Sequence, residues 1–242
     1  MYSLHRRTCT TRTTLPLSLS RGGTARIVAL LLVSLLVFPS ICLCQDSSNI
    51  FAKSSSQFVD GKVSVGYFQD GSFVEYNTPF SVCEGVIGWC LDKCPGPEGD
   101  VTLNITGAPI KHNGFTWLPG VLYANPGFGS NGVAIRFRPT KPQAVNCVGN
   151  FAVKPSSMDT ATVRITKNTT ALSNAAMNSA QKQDSVVTSA VAEIGQEDSL
   201  YFSVFNTGNE RCDLVGVQFF VTPVDAKYKT PEMKPAFVVA KR

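Results

Sequence analysis

The sequence predicts an all-β chain, an antiparallel β-sandwich forming one domain behind an N-terminal signal segment, and three observations predict it. After Gln57, apolar and polar residues alternate with a period of two in a series of short segments. Those segments are punctuated by turn formers, drawn from 14 prolines and 19 glycines in 242 residues. The single alanine-rich stretch lacks an apolar stripe at helical spacing, so no amphipathic helix competes with the strands.

Residues 1–44 hold five arginines (Arg6, Arg7, Arg12, Arg21 and Arg26), no acidic residue, and an apolar run from Ile27 to Ile41. A basic stretch followed by an apolar run of this length is the pattern of a signal peptide, whereas a membrane span needs roughly 20 apolar residues. Cys42 and Cys44 put small residues three and one places before a cut ahead of Gln45. The expectation is a cleaved signal and a secreted, extracellular protein. The rivals are an uncleaved type II anchor, which alone would involve a membrane, and an organelle presequence, because Met1–Gly23 is also rich in Ser, Thr and Arg. With this segment set aside, 17 basic residues balance 17 acidic ones, so the formal net charge of +5 belongs to the leader and gives no support for nucleic acid as a partner.

Residues 45–56 read as a polar linker, 57–224 as the sandwich and 225–242 as a polar, basic tail. Within the sandwich, VGYFQDGSFVEY is the first strand-like segment, and the stretch around Cys90 and Cys94 is turn-rich, with Pro95, Gly96, Pro97 and Gly99. In VTLNIT, Val101, Leu103 and Ile105 share one face while Asn104 shares the other with Thr102 and Thr106. In GVAIRFRP, Val133, Ile135 and Phe137 alternate with Ala134, Arg136 and Arg138; in TATVRITK, Ala161, Val163 and Ile165 alternate with Thr162, Arg164 and Thr166. Each reads as a half-buried antiparallel strand. AVNCVGNFAV, SLYFSVFN and LVGVQFFVTP complete the clearest set. Thr170–Ser185 favours helix by propensity, but between strands that want to be neighbours it is expected as a polar hairpin or loop with one helical turn.

Five cysteines follow the leader: Cys83, Cys90, Cys94, Cys147 and Cys212. An oxidising compartment then allows two disulfides and one leftover thiol. Cys147 shares parity with Val145, Phe151 and Val153, which points it into the core as a free thiol and leaves Cys83, Cys90, Cys94 and Cys212 as the disulfide candidates. Asn104 and Asn168 sit in glycosylation tripeptides, and the strand parity of Asn104 predicts a solvent-facing amide.

The stretch from Leu118 to Pro223, with its loop NPGFGSNG, the strands GVAIRFRP, CVGNFAV and TVRITKN, and then GQEDSLYFSVFNTGNERCDLVGVQFFVTP, resembles the secreted jelly-roll β-sandwich modules of the carbohydrate-binding-like type. The matching positions are Gly195, Asp198, Leu200 to Val204, Gly208, Asn209 and Asp213. The resemblance implies a sandwich and a non-catalytic binding role.

Catalytic chemistry finds little to work with. After the leader, His112 is the only imidazole, in the turn-like KHNGF, so neither a Ser–His–acid triad nor a Cys–His pair can be assembled elsewhere. Glu84, Asp92, Glu98 and Asp100 could supply paired carboxylates to an extracellular hydrolase, the least favoured function. No cofactor is expected; a structural calcium ion would draw on Asp198, Glu210 and Asp213, which bracket one sheet end. Sugar recognition needs aromatic faces with polar groups beside them, and Phe115, Trp117, Tyr123, Asn125, Phe128 and Asn131 gather in one Gly- and Pro-punctuated segment. The expected function is an extracellular, non-enzymatic binding or adhesion module whose partner is a glycan or an extracellular protein surface. The alternative is a structural or protein-interaction domain of a wall, coat or surface assembly. Exposure of Trp117 and Tyr123 separates the two, since buried rings together with an exposed apolar sheet face favour a protein partner.

Overall fold

The computed structural model describes Ser54 and residues 57–94, 96–127, 132–153, 160–178, 185–207 and 214–224. The expected leader and tail fall outside these residues, as do Phe128, Asn131, Glu210, Cys212 and Asp213.

The described residues form sixteen strands and no helix. In chain order they are β1 (Gln57–Phe58), β2 (Gly61–Gln69), β3 (Ser72–Glu75), β4 (Thr78–Cys83), β5 (Val86–Cys90), β6 (Asp100–Asn104), β7 (Ile110–His112) and β8 (Phe115–Trp117). There follow β9 (Leu122–Asn125), β10 (Val133–Pro139), β11 (Gln143–Val153), β12 (Thr160–Lys167), β13 (Thr170–Asn178), β14 (Ser185–Ile194), β15 (Leu200–Asn206) and β16 (Val215–Pro223). One sheet has the order β14-β11-β16-β9-β6-β5-β4, with β1 lying parallel to β16 as its eighth strand. A six-stranded sheet has the order β13-β12-β15-β10-β2-β3, and β7 and β8 form a separate hairpin. Within the two large sheets every other strand pairing is antiparallel. The chain is an antiparallel β-sandwich.

The core is where the two inner faces meet. Val63, Val65, Val133, Ile135, Phe137, Val163, Ile165, Leu200, Phe202 and Val204 come from the six-stranded sheet; Val101, Leu103, Val145, Cys147, Phe151, Val215, Val217, Phe219 and Val221 come from the other. Phe202 and Phe219 touch across the interface with ring centroids 5.0 Å apart. The alternation in GVAIRFRP and TATVRITK holds as read, and Cys147 is a fully buried free thiol, pushed up to about 12 by desolvation. The β2–β3 turn shows how the sequence sets register: Asp70 and Gly71 both adopt positive φ, 50° and 80°, the geometry of a two-residue hairpin that follows strand twist.

Two expectations are corrected. Thr170–Asn178 is a full edge strand, β13, paired with β12 along its length, and no helical turn forms in it. Asn168, at φ 51°, turns the chain at once, a register shift at Ile165/Thr166 absorbs the mismatch, and Met177 enters the core, so burial outweighs alanine's helix propensity. The second is Asn104, which is 0% exposed although its parity is outward. Parity shows which side of the sheet a residue takes, but that side is covered here by the β7–β8 hairpin.

Candidate functional site

The aromatic segment 115–125 builds a second apolar cluster rather than a binding loop. The β7–β8 hairpin folds onto the outer face of the eight-stranded sheet, and Trp117, Val121, Tyr123, Val86 and Ala152 close around it. Trp117 is 8% exposed and Tyr123 0%. Phe115 sets its ring edge-on to both, at 4.4 Å from Trp117 and 5.2 Å from Tyr123. Trp117 Nε1 donates to Thr102 Oγ1 at 3.2 Å, and the Leu118 amide donates to the Tyr123 hydroxyl at 3.0 Å. Burial pushes that phenol up to about 12. No sugar can stack on rings so enclosed, so Trp117 and Tyr123 are removed as candidates, and Phe115 serves as their packing partner. Asn125 Nδ2 donates to Asp100 Oδ2 at 3.0 Å, while Asn125 Oδ1 is buried without a partner.

The same cover explains Asn104. Its Nδ2 donates to the carbonyls of Ala108 and Trp117 at 2.8 and 2.9 Å, and its Oδ1 accepts from the Thr106 amide and hydroxyl. This amide ties the hairpin to the sheet and presents nothing to solvent for a glycan. Asn168 is exposed, and its Nδ2 donates to Asp198 Oδ1 at 2.7 Å. Asp198 in turn accepts from the Gly195 amide at 2.7 Å and pairs with Lys167 at 3.0 Å. Those donors hold its carboxyl down at about 2, the Gly195 N–H first among them. Asp198 thus fastens a turn with both oxygens. Among the described residues no three or more of His, Cys, Asp and Glu gather as a metal site would require. Of the disulfide candidates, Cys90 and Cys94 are joined and Cys83 is a free, half-buried thiol.

Of the four carboxylates considered for hydrolysis, Glu84 and Asp92 are exposed and Glu98 is half-buried. Asp100 is 5% exposed, desolvation lifts its carboxyl to about 6, and its hydrogen-bond partner is Asn125 rather than a second acid.

The outward face of the six-stranded sheet presents a different set of groups. Strand register puts three rows across it. Thr162, Phe205, Gly132, Phe68 and Phe73 form one; Arg164, Ser203, Ala134, Gly66 and Glu75 the next; Thr166, Tyr201, Arg136 and Ser64 the third. The small middle row lets the rings lean together. Phe68 lies 5.2 Å from Tyr201 and 6.2 Å from Phe205, and Phe73 lies 5.4 Å from Tyr201. A Cβ on Gly132 would strike the Phe205 ring and one on Gly66 would strike the Val74 carbonyl and the Phe73 ring, so both positions need glycine for close approach. All four rings remain half-buried. Arg136 covers Phe73 at 4.4 Å and also binds Glu75 and Ser64; Arg164 covers Phe205 at 4.7 Å.

Beside these rings opens a cleft of about 380 Å³ whose lining includes Phe68, Asp70, Arg164, Thr166, Ser203 and Phe205. Its volume lies in the range of small-ligand clefts. Ser203, 0% exposed, and Thr166 each hold a buried hydroxyl oxygen with no hydrogen-bond partner. Buried polar atoms are normally satisfied, so a pair of orphans lining one cleft marks it as a place for a polar ligand. The sequence signal was present in LYFSVFN, where Tyr201, Ser203 and Phe205 alternate outward against Leu200, Phe202 and Val204. A search for aromatic faces on loops passes over rings that a strand turns outward.

Fold and site together define an antiparallel β-sandwich with an aromatic, arginine-bearing sheet face. No family model matches the chain, and no curated protein matches it. Among solved structures it is similar to the Arthrobacter globiformis T6 isomalto-dextranase complexed with panose, at 11% identity and a TM-score of 0.28, over 69% of this chain and 33% of that one. The chain therefore spans about a third of that enzyme's length, and a likeness so low carries no argument about ligand or activity.

Proposed function

We propose that this chain is a non-catalytic, extracellular binding module that takes carbohydrate on the outer face of its six-stranded sheet. The observation that carries the reading is the cleft beside Phe68 and Phe205, with the unpartnered Ser203 hydroxyl buried in its lining. A pyranose offers an apolar ring face to aromatic side chains and hydroxyls at its rim, and this cleft supplies rings, hydroxyls, a carboxylate at Asp70 and a guanidinium at Arg164.

A glycan panel tests this with the wild-type chain, Ser203→Ala and Tyr201→Ala. A retained saccharide whose affinity falls about tenfold in either variant supports the reading, the loss of one good polar or stacking contact being worth about that much. A panel with no retained saccharide sinks it. A protein partner is favoured instead by two other observations: Trp117 and Tyr123 are buried, and Val187 and Val191, 57% and 65% exposed, project from β14 at the edge of the eight-stranded sheet. Crosslinking through β14, with the panel silent, is the result that reading predicts.

A further inference from the structure

We infer that the saccharide taken by this face is acidic, its carboxylate or sulfate ester pairing with Arg164, an inference that rests on the carbohydrate reading above and narrows it. Arg164 is exposed, stands 4.7 Å over the Phe205 ring and, among the described residues, makes no ion pair. Its neighbours are committed: Arg136 is held by Glu75 and Ser64, and Lys167 by Asp198. A guanidinium stacked on a ring uses its face and keeps its N–H edge for a planar or tetrahedral anion.

The surroundings favour an anion as well. Lys62, Arg136, Arg138 and Arg164 point outward from this sheet, against Glu75 and Asp70, whereas the chain after residue 44 is formally neutral. Positive charge is therefore concentrated on the face that carries the cleft. Next to Arg164, Ser203 Oγ and Thr166 Oγ1 lack partners, and sugar hydroxyls meet both as donors or acceptors. Asp70, in the β2–β3 turn, accepts from hydroxyls at the rim. A neutral sugar can satisfy the rings and the hydroxyls but leaves Arg164 with only Phe205. A uronate or a sulfated sugar satisfies all three.

The test is affinity electrophoresis of the full chain through gels holding polygalacturonate, its carboxyl-reduced derivative, dextran sulfate or unmodified dextran, at about 0.15 M salt to screen diffuse attraction. The chains compared are wild type, Arg164→Gln, Arg164→Lys and Lys111→Gln; Lys111 is an exposed cation on the separate β7–β8 hairpin that covers the other sheet. Matching thermal melts confirm that each variant is folded. The expected result is retention of wild type by a charged polymer about tenfold stronger than by its neutral counterpart, lost in Arg164→Gln, partly kept in Arg164→Lys and unchanged in Lys111→Gln. The polygalacturonate and dextran sulfate arms decide between carboxylate and sulfate. Equal retention by charged and neutral polymers, or an unaffected Arg164→Gln, overturns the acidic assignment and leaves the carbohydrate reading standing. An equal loss in Lys111→Gln marks attraction to bulk charge and overturns it too. No retention by any polymer overturns both.

Discussion

Burial of Asp100 beside Asn125 places a carboxyl where its charge is costly. Its folded value of about 6 stands above the ordinary 3.8, so between the two the folded chain holds a proton that the unfolded chain has released. Stability therefore falls as pH rises from about 4 through about 6 and is level beyond. Asp100→Asn removes this window and offers a donor to the orphaned Asn125 Oδ1. Urea midpoints should show the variant more stable at pH 7 by on the order of 2–3 kcal/mol and close to wild type at pH 3.5. Asp198 works with the opposite sign. Its carboxyl is held down at about 2, so what it adds is present above about 4 and is lost as pH falls toward 2. Trp117→Ala should cost about 3–5 kcal/mol in the same assay, because it empties the second cluster. An unchanged midpoint would mean that the ring lies in solvent. Residue-level reading from sequence succeeded for Cys147, where the inner side of a strand is core, and failed for Asn104, where the outer side is covered by a hairpin that parity cannot reveal.

At the scale of elements, the aromatic face depends on two glycines, Gly66 within β2 and Gly132 just ahead of β10. Gly66→Ala sets a Cβ against the Val74 backbone oxygen and the Phe73 ring, and backbone cannot step aside as a flexible side chain can. The expected loss is about 1–3 kcal/mol, with a matching loss of ligand affinity as Phe73 is pushed from its place. A variant that binds and melts as wild type would remove the role given to the small middle row. Alternation alone was enough to read β10 and β12, since each has one apolar and one polar face. β13 was not legible, because alanine and asparagine give little contrast at a spacing of two and its strand state is imposed by the turn at Asn168 and by Met177 in the core. β15 was read as a strand yet only half understood: its outward Tyr201 and Phe205 look like further core in a list of apolar residues.

For the whole molecule, the sandwich sets its two outer faces to different tasks. One is partly sealed by the β7–β8 hairpin; the other leaves four rings half-buried and Arg164 exposed. The Cys90–Cys94 bond closes a short loop, worth about 2 kcal/mol in the chain-entropy account, so reduction should lower the melting temperature by a few degrees without unfolding the chain. A thiol reagent should leave Cys147 unlabelled until the sandwich opens. The central claim, that ligand binds the six-stranded face and not the 115–125 segment, is tested most directly by hydroxyl-radical footprinting with and without a retained polysaccharide. Protection of Phe68, Phe73, Tyr201 and Phe205, with Phe115, Val187 and Val191 unchanged, is the predicted pattern. Undiminished oxidation of Tyr201 and Phe205 in the bound state, or protection confined to Phe115 or to β14, would contradict it.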